Sequence, residues 1–261
     1  MSPKRLGQHF LIDAGWRSRI ANSLPAGPDT AWLEIGAGHG EMTRELARRA
    51  ARVIAVELDL RLVERLRDLA GELPNVEVLA GDVLALDLEP ILSSGRFRVY
   101  GNLPYYITSP ILRRLFEHAH RIDAIHVVIQ LEVAARIVAH PGRRQYGYLS
   151  VLAQFYARPE IVLRIPPGAF RPRPKVTSAL VTLRLPGERA ELGLADEPKF
   201  LDFVQSCFAQ KRKTLLNNLR AGSSRGGVAE ALRAAGLPAD ARAEQLTIAE
   251  FAGLYGRLLG S

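Results

Sequence analysis

Cysteine is nearly absent from this chain, which has a single one, Cys207, among its 261 residues. One cysteine cannot form an intramolecular disulfide or a cysteine-based zinc site, so a reducing compartment is the default expectation. The opening residues MSPKRLGQHFL have no apolar stretch of signal-peptide length, and no run approaches the roughly 18 apolar residues of a membrane span. The sequence therefore predicts a cytoplasmic protein that does not contact a membrane.

Positive charge is present in excess, with 35 Lys plus Arg against 27 Asp plus Glu and a formal charge of +8. Two segments carry most of it: residues 142–175 contain seven basic side chains and one acid, and residues 203–225 contain five basic side chains and no acid. Such clusters favour a phosphate-binding surface on a nucleic-acid partner. The expected contacts are Arg143, Arg144, Arg171, Arg173, Lys211, Arg212 and Lys213.

The composition, 48% hydrophobic and 24% charged, is that of a globular protein, and the length allows one large domain with a small companion. Short β-rich runs alternate with amphipathic helical patterns, which predicts βαβ units and a mostly parallel sheet. The runs are AWLEI (31–35), RVIAVE (52–57), VEVLA (76–80), FRVYGN (97–102) and AIHVVIQ (124–130). Two later runs, at 161–165 and 176–185, lie close together and are expected to pair antiparallel at the sheet edge.

A stretch typical of a linker follows at 186–198, PGERAELGLADEP, where Pro, Gly and charges occur without periodicity. After it the pattern is helical only. We therefore predict an α/β domain at 1–185 and a small α-helical domain at 186–261.

Glycine or acidic residues follow each of the first three predicted strands. Gly36 and Gly38 would let the backbone turn sharply and approach a ligand closely, although Glu41 departs from the dinucleotide fingerprint. Glu57 ends the second strand, where a carboxylate can accept hydrogen bonds from both hydroxyls of a ribose. Asp82 follows the third strand, where it can accept from an adenine amino group. Because the carboxyl ends of parallel strands meet at one crevice, these residues predict a nucleoside-containing cofactor.

The fourth strand ends in Asn102-Leu103-Pro104-Tyr105, a sequence suited to methylating a planar exocyclic amine. The lone pair of such a nitrogen is delocalised into its ring. The Asn102 side-chain oxygen and the Leu103 carbonyl can accept its two N–H bonds and draw the lone pair out of conjugation. Pro104 fixes the turn without adding a donor, and Tyr105 can stack on the base for ~1–3 kcal/mol. Catalysis would rest on positioning and in-line geometry, without a strong general base.

Motifs that carry a family resemblance are spread over nearly the whole chain. They are KRLGQHFL (4–11), EIGAGHGEMT, VELD, GDV, GNLPYYITSP, QYGYLSVLAQFY (145–156), PPGAFRPRPKVTSALVTL (166–183), QKRKTLLNNL (210–219) and RAEQLTIAEF (242–251). With these segments the chain resembles the bacterial KsgA-type small-subunit rRNA adenine dimethyltransferases. The resemblance implies a Rossmann-like, S-adenosylmethionine-dependent methyltransferase domain, and a small helical domain that helps to dock RNA.

The resemblance also implies roles for individual residues. His9 and Leu11 would touch the methionine end of S-adenosylmethionine, and Leu58 and Val83 would sandwich its adenine. The full implied cofactor set is His9, Leu11, Gly36, Gly38, Glu57, Leu58, Asp82, Val83 and Asn102. The implied catalytic set is Asn102, Leu103, Pro104, Tyr105 and Phe170, with Tyr105 and Phe170 stacking on a flipped adenine. The family usually reads GQNF where this chain reads GQHF, so His9 would replace the amide contact through a ring nitrogen.

The implied substrate is the pair of adjacent adenines in the loop near the 3′ end of 16S rRNA, within an immature small ribosomal subunit. Each adenine would receive two methyl groups at N6, and the enzyme would act as a monomer. An adenine in a loop is already partly unstacked, which lowers the cost of extruding it.

Three other functions remain open from the residues. The related class that methylates one adenine of 23S rRNA and confers macrolide resistance shares the cofactor motifs, but FRPRPKV and RAEQLT favour the small-subunit enzyme. A non-catalytic RNA-binding assembly factor is disfavoured by the intact Asn102, Glu57 and Asp82. A nicotinamide-dependent dehydrogenase is disfavoured by Glu41.

No metal site is expected. His118 and His120 are two apart on a predicted helix and would point to different faces, so we interpret both as surface residues.

Overall fold

A seven-stranded, mostly parallel sheet organises the first part of the chain in the computed structural model, which describes residues 9–25, 27, 29–104, 107–210, 212–219 and 225–259. Its strands are β2 (Ala31–Ile35), β3 (Arg52–Glu57), β4 (Val76–Ala80), β5 (Phe97–Asn102), β6 (Ile122–Gln130), β7 (Arg158–Ile165) and β9 (Ser178–Arg184). Their order is β4-β3-β2-β5-β6-β9-β7. The first five run parallel, while β9 pairs antiparallel with both β6 and β7. The predicted Rossmann-like α/β class, with its antiparallel edge, is confirmed.

Helices follow the strands as the sequence pattern predicts. In the first part they are α1 (Ala14–Ser23), α2 (Glu41–Ala47), α3 (Leu60–Glu72), α4 (Leu88–Leu92), α5 (Thr108–Phe116) and the start of α6 (Leu131–Ile137). Helix α3 illustrates the cause: Asp59 caps its first turn by accepting the Arg61 N–H, and Leu62, Leu66 and Leu69 are buried at helical spacing. An apolar stripe of this period packs one face of the helix against the sheet.

A second, two-stranded sheet joins distant parts of the chain. Strand β1 (Phe10–Leu11) pairs antiparallel with β8 (Phe170–Arg171), so that Phe10 lies opposite Arg171 and Leu11 opposite Phe170. The backbone continues this pairing through the Ile12 N–H, which donates to the Ala169 carbonyl at 3.0 Å. The segment that precedes α1 is thereby fixed beside the FRPRP segment.

The chain divides into two compact units. The first comprises the described residues up to Ala134 together with Arg158–Leu185, and the second comprises Ala135–Ala157 together with the chain from Pro186 onward. The second unit contains α7 (Tyr148–Tyr156), α8 (Arg189–Leu192), α9 (Glu197–Cys207), α10 (Leu215–Asn218), α11 (Arg225–Ala234) and α12 (Ile248–Leu259).

This division differs from the expected one at residues 135–157, which the sequence pattern had placed with the α/β domain. Two contacts explain the difference. The Tyr146 hydroxyl donates to the Leu246 carbonyl at 2.9 Å, and the Phe155 ring packs on Phe200 with centroids 5.2 Å apart. Helix α7 therefore contributes its apolar side chains to the core of the helical unit.

None of the helices described here combines the length and the apolar character that crossing a bilayer requires.

Candidate active site

A glycine turn joins β2 to α2 at the carboxyl end of the sheet. Gly36 has φ 68° and Gly38 has φ 62°, a left-handed conformation that strains residues with a side chain. A Cβ on Gly38 would also lie 3.3 Å from the Phe10 ring, which covers this part of the turn. The turn therefore keeps its backbone accessible at Gly36 and is packed by the β1 segment at Gly38.

The Glu57 carboxylate lies beside this turn and is held rigidly. Its Oε2 accepts the Gly38 N–H at 2.9 Å, and its Oε1 accepts the N–H groups of Leu58 and Asp59, each at 2.9 Å. The residue is only 2% exposed. Oε1 uses both of its lone pairs on these N–H groups and Oε2 uses one, so a fixed Glu57 can still accept one ligand hydroxyl at Oε2.

A cleft opens next to Glu57 and has a mostly apolar lining. Its walls are Ile35, Gly36, Val56, Glu57, Leu58, Gly81, Asp82, Val83, Leu103, Pro104, Ile107 and Ile111. Ile107 and Ile111 were not among the predicted site residues, although their i,i+4 spacing at the start of α5 is a signal that could have found them.

Asp82 stands at the rim of the cleft. Its Oδ1 accepts the Leu84 N–H at 2.9 Å, and the side chain is exposed, while the adjacent Val83 is buried. One carboxylate oxygen is thus used to order the loop after β4, and Oδ2 is left to accept from a ligand. The structure brings seven predicted site residues together around this cleft: Gly36, Glu57, Leu58, Asp82, Val83, Leu103 and Pro104.

Asn102 ends β5 and is oriented by the N-terminal segment. Its side-chain Nδ2 donates to the His9 carbonyl at 2.8 Å. Only the amide nitrogen can donate to a carbonyl, so Oδ1 is the atom that Asn102 offers as an acceptor. The Leu103 N–H donates to the Val128 carbonyl at 3.1 Å, which fixes the backbone of the following turn. Tyr105, the last residue of the predicted motif, lies outside the described residues.

His9, Leu11 and Phe170 are placed around the β1–β8 sheet rather than along the walls of the cleft. The His9 ring is hydrogen-bonded within the protein, with Nδ1 2.6 Å from the Pro172 carbonyl. Leu11 and Phe170 belong to the hydrophobic core, and Phe170 is only 1% exposed. Access to the Phe170 ring would require neighbouring side chains to move.

A model of the ribosomal RNA adenine dimethylase family matches residues 2–258 of the chain. The protein belongs to this family. Two family members named ribosomal RNA small subunit methyltransferase A are clearly similar to it. The one from Koribacter versatilis is 42% identical over 97% of this chain and 93% of its own length. The one from Acidobacterium capsulatum is 45% identical over 97% and 90%. The resemblance inferred from the motifs is confirmed.

Solved structures agree with this ribosomal RNA adenine dimethylase fold. The 23S rRNA methyltransferase ErmE is 32% identical, with a TM-score of 0.69 over 95% of this chain and 99% of ErmE. A dimethyladenosine transferase from Plasmodium falciparum has a TM-score of 0.80 over 94% of this chain and 96% of that one. Its sequence identity is 24%, so this second likeness supports the fold alone.

The basic residues expected to contact nucleic acid are exposed in both units of this family member. Arg171 and Arg173 are exposed in the first unit. In the second unit the exposed members of the set are Arg143, Arg144, Arg212 and Lys213. Lys211 lies outside the described residues.

Three buried titratable groups lie beneath the active-site edge of the sheet. Burial raises the pKa of the Glu34 carboxyl to about 8, and the neighbouring Thr43 hydroxyl offsets only part of the rise. Burial also raises the pKa of the Tyr100 hydroxyl, and it lowers the pKa of His126 to about 4. His126 is therefore neutral at physiological pH, and its Nδ1 contacts the Thr182 hydroxyl at 2.9 Å.

The interpretation of His118 and His120 as surface residues is wrong for His118. That side chain is buried, and its Nδ1 lies 3.1 Å from Glu89 Oε2, because the chain folds back after α5 onto α4. His120 is exposed, with Nε2 3.9 Å from Glu89 Oε1. Across the described ranges, no group of three or more His, Cys, Asp or Glu is arranged to hold a metal ion.

Proposed function

We propose that the protein transfers methyl groups from S-adenosylmethionine to N6 of two adjacent adenines in the loop near the 3′ end of 16S rRNA, giving dimethyladenosines. The observation that carries the proposal is the orientation of Asn102 at the carboxyl end of β5: its Nδ2 donates to the His9 carbonyl, which leaves Oδ1 as an acceptor, and the next residue, Leu103, lines the cleft. The names of the two curated relatives support the small-subunit substrate. We place the reaction in the cytoplasm, on an immature small subunit, with the enzyme acting as a monomer.

The cleft fits the nucleoside part of S-adenosylmethionine. Glu57 is rigid and keeps one lone pair, on Oε2, for a ribose hydroxyl, and Asp82 Oδ2 can accept the adenine amino group. Leu58 and Val83 line the cleft and can contact the two faces of the adenine ring. When bound, the cofactor supplies an electrophilic methyl group on a sulfonium sulfur.

The chain's own contribution to the chemistry is to position and polarise the target amine. Asn102 Oδ1 and the Leu103 carbonyl would accept the two N–H bonds of adenine N6, which favours the geometry in which its lone pair points out of the ring. Pro104 cannot donate a competing N–H. The nitrogen loses its proton only after it has gained the methyl group, so solvent can take that proton. The apolar lining at Leu103 and Ile107 would help to exclude water from the reacting atoms.

The target adenine would be held by stacking on Tyr105 and Phe170. Because Phe170 is buried in the free protein, we expect its ring to become accessible only when the base enters. The exposed basic residues of each unit would contact the rRNA backbone, where they neutralise phosphates without reading sequence.

Methyl transfer from labelled S-adenosylmethionine tests the substrate. We expect incorporation into immature 30S particles, at the two adjacent adenines, as N6,N6-dimethyladenine. Incorporation only into protein-free 23S rRNA would instead assign the macrolide-resistance activity, and incorporation into neither would support the non-catalytic assembly factor.

Asn102→Ala tests the catalytic role directly. We expect loss of methyl transfer by at least about 100-fold, since the reacting amine loses its positioning contact, while RNA binding stays within about three-fold. The same substitution at the exposed Asn22 of α1 is the matched control and should leave the rate unchanged. A rate for Asn102→Ala equal to that of the unmodified protein would exclude this assignment.

A further inference from the structure

A cluster of buried polar side chains lies under the glycine turn and takes no part in the contacts described so far. Glu34 is 2% exposed, and it lies in register with Tyr100, which is 1% exposed, on the neighbouring strand β5. Thr43, on α2, is fully buried. Buried atoms in all three side chains make no hydrogen bond to any residue in the described ranges: Glu34 Oε2, Thr43 Oγ1 and the Tyr100 hydroxyl. Groups of this kind in a core call for an explanation.

The charges around Glu34 exclude an ion pair as that explanation. The charged groups that act on it are Glu41, at the start of α2, and Glu57, at the end of β3, and both are acidic. The remaining titratable neighbour is Tyr100, on β5. An isolated buried carboxylate without a cation is very costly, and such a group takes up a proton instead. A protonated Glu34 gains one O–H donor, which the Tyr100 hydroxyl can accept, while the other carboxyl oxygen can accept from the Thr43 hydroxyl.

The position of the cluster connects it to the cofactor turn. Glu34 lies two residues before Gly36, and Thr43 lies three residues after Gly40, so the pair brackets the whole turn. On the other side, the turn is held by the Gly38 N–H donated to Glu57. The two carboxyl groups thus have different environments: Glu57 accepts three N–H bonds, whereas the group that favours the ionised form of Glu34 is a single hydroxyl, that of Thr43.

We propose that Glu34 is a positioning residue that, as a neutral acid, ties β2 to α2 beneath the glycine turn and thereby holds the turn in the shape that admits the cofactor. Glu57 then remains the anion that faces the ribose. Ionisation of Glu34 would place a second negative charge close to Glu57 and would remove the one O–H donor of the cluster's carboxyl group. The inference rests on the proposed use of S-adenosylmethionine.

The probe is S-adenosylhomocysteine, titrated calorimetrically into the full-length protein from about pH 6.5 to about pH 9.5. Glu34→Gln is the decisive variant, because it keeps the shape and the hydrogen-bonding capacity but cannot ionise. At neutral pH we expect Glu34→Gln to bind S-adenosylhomocysteine with an affinity within about three-fold of that of the unmodified protein. At a pH about one unit above the pKa of Glu34, we expect the variant to bind about ten-fold more tightly than the unmodified protein. The ligand's own amino group titrates equally in both experiments, so the ratio of the two affinities isolates Glu34.

Thr43→Val is a second and independent variant. It removes the one neighbouring hydroxyl that favours the carboxylate form, so the fall in affinity should begin at a higher pH than in the unmodified protein. Circular dichroism at each pH confirms that both variants are folded.

The outcomes separate this inference from the proposed function. If the affinity for S-adenosylhomocysteine depends on pH in the same way in the unmodified protein and in Glu34→Gln, with clear binding in both, the proposed role of Glu34 is wrong. The cofactor assignment is unaffected by that result. No binding to any of the proteins at any pH would overturn the cofactor assignment itself. If the pH dependence of the affinity is the same in Thr43→Val as in the unmodified protein, Thr43 does not take part in the contact with Glu34.

Discussion

The buried proton on Glu34 has a consequence for folding that is separate from ligand binding. In the unfolded chain this carboxyl has a pKa of 4.5, and in the folded protein burial raises the pKa to about 8. Between these values the folded state holds a proton that the unfolded state has lost. A raised pKa contributes stability that is fully present below the unfolded value and is lost as the pH rises through the folded value.

The size of the effect follows from the two pKa values. Each pKa unit corresponds to ~1.4 kcal/mol, so about 5 kcal/mol of unfolding free energy is lost across the whole window. Between about pH 5 and about pH 8, the unmodified protein should lose ~3 kcal/mol relative to Glu34→Gln, which has no proton to release. That loss is a large fraction of the unfolding free energy of a typical folded domain, which is roughly 5–15 kcal/mol.

Urea unfolding followed by tryptophan fluorescence measures this difference. Both tryptophans, Trp16 and Trp32, lie in the first unit, and Trp32 is 1% exposed, so the signal reports the unit that contains Glu34. The exposed Glu64→Gln is the matched control for a change of surface charge. The reasoning would be refuted if the unfolding free energy of the unmodified protein, minus that of Glu34→Gln, stayed constant over this pH range or rose with the pH.

Two further predictions concern the helical unit and the RNA contacts. A Cβ on Gly187 would lie 2.3 Å from the backbone of Ala157, so Gly187→Ala should destabilise the second unit by about 3 kcal/mol in denaturant unfolding followed by circular dichroism. Gly226→Ala, with open space around it, is the control and should be neutral or slightly stabilising. Arg173→Ala should weaken rRNA binding and reduce the slope of log Kd against log salt by about 0.7–0.9. The exposed Arg67→Ala of α3 should leave that slope unchanged, and a change of equal size in both would show that neither slope reports a specific phosphate contact.

Local sequence patterns were sufficient to predict the main sheet. Strands β2, β3 and β5 are nearly continuous apolar runs because parallel strands are covered on both faces. Such runs can be recognised in the sequence without any knowledge of the tertiary structure. The same logic predicted that Glu57 and Asp82 lie at one edge of the sheet. The carboxyl ends of parallel strands all lie at the same edge of the sheet. Motifs that follow successive strands in the sequence can therefore be predicted to lie close together in space.

The features that sequence reasoning missed depend on contacts between distant residues. Strand β1 has only two residues, and its pairing of Phe10 with Arg171 leaves no periodic pattern to read. The protection of Gly38 by the Phe10 ring and the fixing of Asn102 by the His9 carbonyl both follow from that pairing. The assignment of 135–157 to the second unit depends on side chains that face partners about 50 or more residues away, which helical periodicity alone does not identify.

The protonation state of Glu34 also could not be predicted from the sequence. An acid before a glycine turn looks the same whether it is ionised or protonated, since the difference comes from burial and from two further acids, Glu41 and Glu57. Only the packing of α2 over β2 determines which state is stable.

The helical unit is formed by two separate segments of the chain, and this has a consequence for the synthesis of the protein. Tyr146 and its partner Leu246 are separated by 100 residues. At ~5–20 residues per second, a ribosome needs roughly 5–20 s to make the intervening chain. Until α9 is made in the course of that interval, Phe155 of α7 lacks its partner Phe200, and Tyr146 lacks Leu246 until the interval ends. The helical unit therefore completes its core only near the end of translation, and a chain truncated after the sheet would keep an uncovered helix that favours aggregation.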